Sequence, residues 1–240
     1  MASKKTKTLY EQLCSERIIQ QAWLLVKAKN SMGGVDGESV CSFEKDLYKN
    51  LTGIRNELLT QQWKPQPYLV HEIAKKEKNE KRKLGLLSIK DKIIQRAIAM
   101  LTEPLFEKLF VNNSYAYRPH KGHYKAVMRT KSECVKKENV WALRLDIDDY
   151  FDTINHEQLF SFLSSAVPDN EVCRLIKLCV QMGNVRKGTK WQDSSIGVPQ
   201  GAVLSPILAK LDLHPIDLCV SIKGLSYVRY ADDLVILTET

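Results

Sequence analysis

Two groups of aspartates stand where carboxylates are costly, and they limit what this chain can fold into. Asp146 follows directly on Trp141-Ala142-Leu143-Arg144-Leu145, a short strand pattern, with Asp148, Asp149 and Asp152 close behind. Asp232 and Asp233 stand side by side between Ser226–Tyr230 and Leu234–Leu237, two segments that read as strands. Carboxylates gathered at strand ends repel one another unless a cation neutralises them. Asp146 and Asp232 are 86 residues apart, so only a fold that returns the chain on itself can join them. Joined, they make an oxygen-lined site suited to Mg²⁺, which keeps some waters and takes phosphate oxygens beside one or two carboxylates. Two such ions ~3.5–4 Å apart activate an attacking hydroxyl and stabilise a leaving pyrophosphate. The plainer alternative is that Asp-Asp simply suits a tight turn and that Asp146 ends a strand or caps a helix.

The segments around these aspartates divide into a helix-rich first half and an α+β second half. Leu9 to Asn30 has apolar residues near helical spacing and runs into the Gly33-Gly34-Val35-Asp36-Gly37 turn. Phe43, Leu47, Leu51, Ile54 and Leu58 predict a second helix with Ser42 as N-cap, broken by Trp63-Lys64-Pro65-Gln66-Pro67. Tyr68–Ile73 and Leu84–Ile89 predict a hairpin whose tip, Lys75 to Lys83, is too charged to bury. A helix over Lys90–Phe110 should be kinked or split by Pro104. A strand over 141–147, helices over 156–165, 170–182 and 204–213, and the two strands flanking Asp232-Asp233 complete the pattern. The change of character places a domain boundary near residue 130, giving 1–130 and 131–240.

Composition excludes several classes. No run of ~18 apolar residues is present, which argues against a membrane span. Met1 to Lys7 is basic but no apolar stretch follows, so no secretory signal is expected. Six cysteines lack CxxC spacing, the pattern of ordinary thiols in a reducing cytoplasm. The net charge of +8 suits a polyanionic partner without requiring one. His120 and His123 have no Cys pair or carboxylate set beside them that suits zinc, and His156 reads as a helix cap or packing residue.

Tyr230-Ala231-Asp232-Asp233 resembles the YxDD box of reverse transcriptases. Arg144 to His156 resembles their first palm motif, and Gly197-Val198-Pro199-Gln200-Gly201 through Ser205-Pro206 to Ala209 resembles the segment between the two. Upstream, Ala22-Trp23 with Val26-Lys27-Ala28, the Gly34–Gly37 turn, Arg82-Lys83-Leu84-Gly85 and Ser114–Pro119 are similar to finger segments of group II intron-type bacterial enzymes, in the same order. Ala202 and Lys210 depart from the commonest intron version. Intron mobility, CRISPR-associated spacer acquisition and phage defence all use enzymes of this type.

The resemblance implies a right-hand polymerase fold, α+β, with helical fingers over 1–130, a ferredoxin-like palm over 131–240 and no thumb. It implies RNA-directed DNA synthesis from dNTPs on an RNA template and a DNA or RNA primer, using Mg²⁺ or Mn²⁺. Asp146, Asp232 and Asp233 would be the catalytic carboxylates, with Asp146, Asp232 and the Ile147 carbonyl on the metal and Asp233 supporting them. Phe151 would be the steric gate against a 2′-hydroxyl, which disfavours RNA-dependent RNA synthesis. The amides of Asp149 and Tyr150 would face the triphosphate, with Arg82 and Lys75 or Lys76 supplying positive charge. Gln200-Gly201 would lie against the nascent base pair, and Arg118 would touch the template. The sequence stops seven residues after Asp233, so a fragment of a longer enzyme or a chain completed by a partner protein is expected, with little processive synthesis alone. A non-catalytic RNA-binding subunit keeping the fold is the competing reading.

Overall fold

The computed structural model describes residues 7–74, 81–136, 140–186 and 189–239. The chain opens with α1 (Leu9–Leu13) and α2 (Glu16–Lys29). They are separate helices because Ser15 turns out of helical geometry and its hydroxyl accepts from the Ile18 amide, capping α2. The second expected helix is likewise two, α3 (Val40–Lys45) and α4 (Leu47–Leu59). Ser39 rather than Ser42 is the N-cap of α3, and Ser42 answers it from the third helical position in a capping box.

Next come β1 (Tyr68–Ala74), β2 (Lys81–Leu86), α5 (Ile89–Glu107), α6 (His123–Val135) and β3 (Val140–Leu145). After them follow α7 (Tyr150–Thr153), α8 (His156–Ala166), α9 (Asn170–Gln181), β4 (Asn184–Arg186), α10 (Ser205–Ile222), β5 (Ser226–Tyr230) and β6 (Asp233–Glu239). Pro104 does not split α5, and Pro215 does not end α10, which runs nine residues beyond the expected Leu213.

α5 is the central pillar. It packs against α1, α2, α9 and α10, and Ile89, Ile93, Ile94, Ala97 and Ile98 are almost wholly inaccessible. Burial around most of its circumference is the mark of a core helix rather than a surface one. The Gln95 side-chain oxygen accepts from the amides of Val203 and Leu204 at 3.1 and 3.3 Å, tying α5 to the start of α10.

Two three-stranded sheets flank this core. β2 and β1 form an antiparallel hairpin as expected, but β2 begins at Lys81, taking in three residues of the expected tip, and ends at Leu86 because Ile89 already opens α5. β4 joins β1 in parallel. The second sheet is antiparallel in the order β3-β6-β5. The line near residue 130 does not divide the interior: one apolar cluster runs from Leu13 to Leu213, and β4 pairs with a strand from the first half. Among the described residues no helix is long and apolar enough to cross a membrane.

Candidate active site

The antiparallel register of β3 and β6 brings the distant aspartates to one place. Leu145, the last residue of β3, pairs with Leu234, so the chain leaves β3 at Asp146 beside the start of β6 at Asp233. Tyr230 pairs with Asp233 across the β5–β6 hairpin, which leaves Ala231-Asp232 as a two-residue turn at the same end of the sheet. Ala231 has φ +57°, the positive value that such tight hairpins require and that glycine or asparagine usually supplies. Asp149, also left-handed at φ +45°, turns the chain from β3 into α7.

The carboxylates act on one another's surroundings. Partial burial raises the Asp232 carboxyl above its ordinary value, the charges of Asp146 and Asp233 push it the same way, and Arg82 opposes them. Asp233 Oδ1 accepts from Arg144 Nε and Nη2 at 3.1 and 2.8 Å, so this carboxylate has a cationic partner of its own. Asp146 and Asp232 have only the longer-range fields of Arg144 and Arg82, and among the described residues neither is hydrogen-bonded to a cation. Among the described residues no group of three or more His, Cys, Asp or Glu side chains is gathered to hold a metal. A hard cation that keeps several waters and shares its shell with phosphates needs only one or two carboxylates, and this donor set fits it.

The other expected residues fall at different distances from the chemistry. Arg82, on β2, comes within electrostatic reach of Asp232 and of Tyr117. Phe151 packs on the core with its ring edge-on to Tyr150, centroids 5.7 Å apart, and it lines a small cavity of about 10 Å³ with Tyr117, Pro206, Lys210 and Ala231. The buried Tyr150 hydroxyl lies 2.8 Å from both the Ala209 carbonyl oxygen and Asp212 Oδ2, and burial followed by the Asp212 charge holds it protonated. Tyr150 therefore offers a ligand only its backbone. The Gln200 carbonyl accepts from the Gly85 amide at 2.6 Å, and Gly201 has φ +94°, a conformation that side-chain-bearing residues rarely adopt. Lys75 and Lys76 lie outside the described residues.

Arg118 is not placed to read a template. Its guanidinium is nearly inaccessible; it donates to both oxygens of Glu107 and to the carbonyls of Val111, Ser114 and Phe110. With its donors engaged inside the fold, this arginine braces the loop after α5.

Sequence reasoning missed three residues here. Tyr117 is left-handed at φ +54°, largely exposed, and its phenol feels the charges of Asp232 and Arg82. Lys210 is buried, with Nζ donating to the Tyr117 carbonyl at 2.7 Å and lying 4.9 Å from the Phe110 ring centre; burial lowers its pKa to about 8. Its departure from the commonest intron pattern was the available signal. Arg229 is the third, an arginine on β5 that is almost completely buried. A cleft of about 320 Å³ adjoins this region, with Lys29, Lys92, Arg96, Glu103, Tyr117 and Pro206 among its lining residues.

Residues 73–240 match the family model described as "Reverse transcriptase (RNA-dependent DNA polymerase)". The chain is a reverse transcriptase family member. Protein YkfC of Escherichia coli K12 is 30% identical over 210 residues, covering 83% of this chain and 55% of YkfC. The group II intron-encoded protein LtrA of Lactococcus lactis is 31% identical over 153 residues, 64% of this chain and 25% of LtrA. The chain thus spans about half the length of the first relative and a quarter of the second. A chain of a partial Cas6-RT-Cas1–Cas2 complex superposes with a TM-score of 0.63 at 22% identity, over 98% of this chain and 39% of that one. The likeness identifies the mixed helix-and-strand architecture as a reverse transcriptase polymerase fold.

Proposed function

We propose that this reverse transcriptase relative catalyses template-directed transfer of deoxynucleotides to a primer 3′-hydroxyl, as part of a longer enzyme or assembly. The observation that carries this reading is the convergence of Asp146 and Asp232 at one end of the sheet, where the Asp146 charge adds to the cost of ionising Asp232 and, among the described residues, no cation is hydrogen-bonded to either. A divalent cation, Mg²⁺ or Mn²⁺, supplies the missing charge when bound and lowers the pKa of a coordinated hydroxyl. Asp146, Asp232 and the Ile147 carbonyl would hold it. Arg144 holds Asp233, keeping the third carboxylate beside the pair as support.

The remaining residues bind and orient. Arg82, facing the aspartates from the β1–β2 hairpin, offers the guanidinium suited to phosphate oxygens. Amides opening α7 near Asp149 and Tyr150 add donors of the kind that receive anions. Phe151 excludes a 2′-hydroxyl, and Gln200-Gly201 underlies the base pair. The cleft bearing Lys29 and Arg96 suits a nucleic-acid backbone, whose phosphates are held by cations without regard to sequence. Positioning and fixed charge do most of the work in such transfers. The fingers would take residues 1–130 and the palm 131–240.

The test is single-nucleotide addition to an annealed primer by the full chain in its natural context. Asp232→Ala should reduce incorporation by at least about a thousandfold while nucleic-acid affinity stays within a few-fold. A variant that still extends the primer would show that the carboxylates are not the catalytic set. Wild-type chain that binds RNA equally with and without Mg²⁺ and never adds a nucleotide would establish the non-catalytic RNA-binding reading instead.

A further inference from the structure

Arg229 lies on β5, three residues before Asp232, and its side chain is almost completely inaccessible, as is that of Asp217 on α10. The two form a forked pair: Nε donates to Asp217 Oδ1 at 2.8 Å and Nη2 to Oδ2. Such a pair fixes both position and plane of a guanidinium. Asp217 is itself held, because its carbonyl accepts from the Tyr227 hydroxyl at 3.0 Å. The Arg229 backbone is also tied down. Its amide donates to the Asn113 carbonyl, and its own carbonyl accepts from the Tyr115 amide, both at 2.9 Å.

One nitrogen of this immobilised fork remains, and it points at the turn. Arg229 Nη1 donates to the Ala231 carbonyl at 2.9 Å. Ala231 is the residue at φ +57°, and its carbonyl belongs to the peptide that leads into Asp232. An alanine held left-handed needs its surroundings to keep it there. The bond from Arg229 supplies that restraint from a guanidinium anchored in the core to a half-buried carbonyl.

We infer that Arg229, anchored by Asp217, is a positioning residue that holds the strained Ala231 peptide and thereby sets where Asp232 presents its carboxylate to a divalent cation. The inference rests on the proposed role of Asp232. α10 becomes more than packing: its segment beyond Pro215 carries the acid that orients the guanidinium. Lysine cannot replace arginine here, because a single ammonium cannot span both Asp217 oxygens and the Ala231 carbonyl.

The experiment is Mn²⁺ binding by the full chain, read by electron paramagnetic resonance, with single-nucleotide addition in parallel. Arg229→Lys should weaken Mn²⁺ binding about ten- to a hundredfold, the usual effect of removing a group that orients a ligand. The turnover rate should fall with it, while the KM for dNTP and the affinity for primer–template stay within about twofold. Ala231→Gly removes the strain, so the Arg229→Lys/Ala231→Gly double variant should regain most of the lost Mn²⁺ affinity, which a merely structural role would not allow. Should Arg229→Lys fail to fold, Asp217→Asn with and without Ala231→Gly gives the same comparison. Unchanged Mn²⁺ affinity in a folded variant, or a loss that glycine does not relieve, overturns the inference. Asp232→Ala is the control: if it binds Mn²⁺ as wild type does, the assignment of the metal site has failed rather than the role of Arg229.

Discussion

Phe151 follows Asp146 by five residues and stands between the core and the small cavity beside Lys210 and Ala231. A ring held by Tyr150 on one side cannot easily retreat from a bulkier sugar. Phe151→Val should therefore narrow the preference for dNTPs over NTPs by at least about tenfold, measured as the ratio of kcat/KM for the two. An unchanged ratio would assign the aromatic to packing alone. Arg118 teaches the reverse lesson at the same scale. A loop arginine beside aromatic residues has the look of a phosphate contact, yet its partners are Glu107 and three carbonyls that no local pattern reveals. Side-chain type was legible; the direction of the guanidinium was not.

Among elements, α5 shows most clearly how a local pattern can understate a structure. Its apolar spacing and position were readable, but Asp91 on its first turn is buried as deeply as the isoleucines. Asp91 accepts from Trp63 Nε1 at 3.2 Å and the Gln66 amide at 3.0 Å, anchoring the Pro-rich segment before β1. Burial lifts its pKa from 3.8 to about 6, partly offset by the hydrogen bonds from Ser88, Gln66 and Trp63. Because the folded value lies above the unfolded one, the contribution of this carboxyl to stability is complete below pH ~4 and is lost as pH rises through ~6. The span is worth about 3 kcal/mol. Comparing wild type with Asp91→Asn by chemical denaturation should show the difference shifting in favour of the variant between pH 4 and 6. A difference independent of pH would mean that the carboxyl titrates alike in the folded and unfolded chain. α6 and β4 escaped the sequence for opposite reasons. α6 buries little beyond Ala126 and Glu133, so its apolar stripe is faint, and β4, at three residues, is too short for a pattern and is held by its parallel partner β1 and a bridge from Asn184 to Gln192.

At the level of the whole molecule, the margin of the second sheet at β3 is open among the described residues. β3 pairs with β6 on one side, and among the described residues no strand pairs with its other side. Trp141, Leu143 and Leu145 project from it with 65%, 54% and 44% of their surface exposed. An apolar edge strand is a template for further pairing. The chain should associate with itself as concentration rises, and Leu143→Lys should weaken that association by about tenfold, read by sedimentation velocity. A strictly monomeric wild type would show that this margin is tolerated in water.

The amino-acid order alone determined the β1–β2 hairpin, the placement of aspartates at strand ends and the family, because period, turn residues and short motifs are local properties that a chain carries wherever it goes. Only the tertiary structure decided that β3 lies antiparallel to β6, that Asp146 comes to Asp232, and that Arg229 spends its fork on Asp217 and the Ala231 peptide. Those are meetings between segments far apart in the chain, and local spacing encodes which face a residue presents but not which surface it will meet.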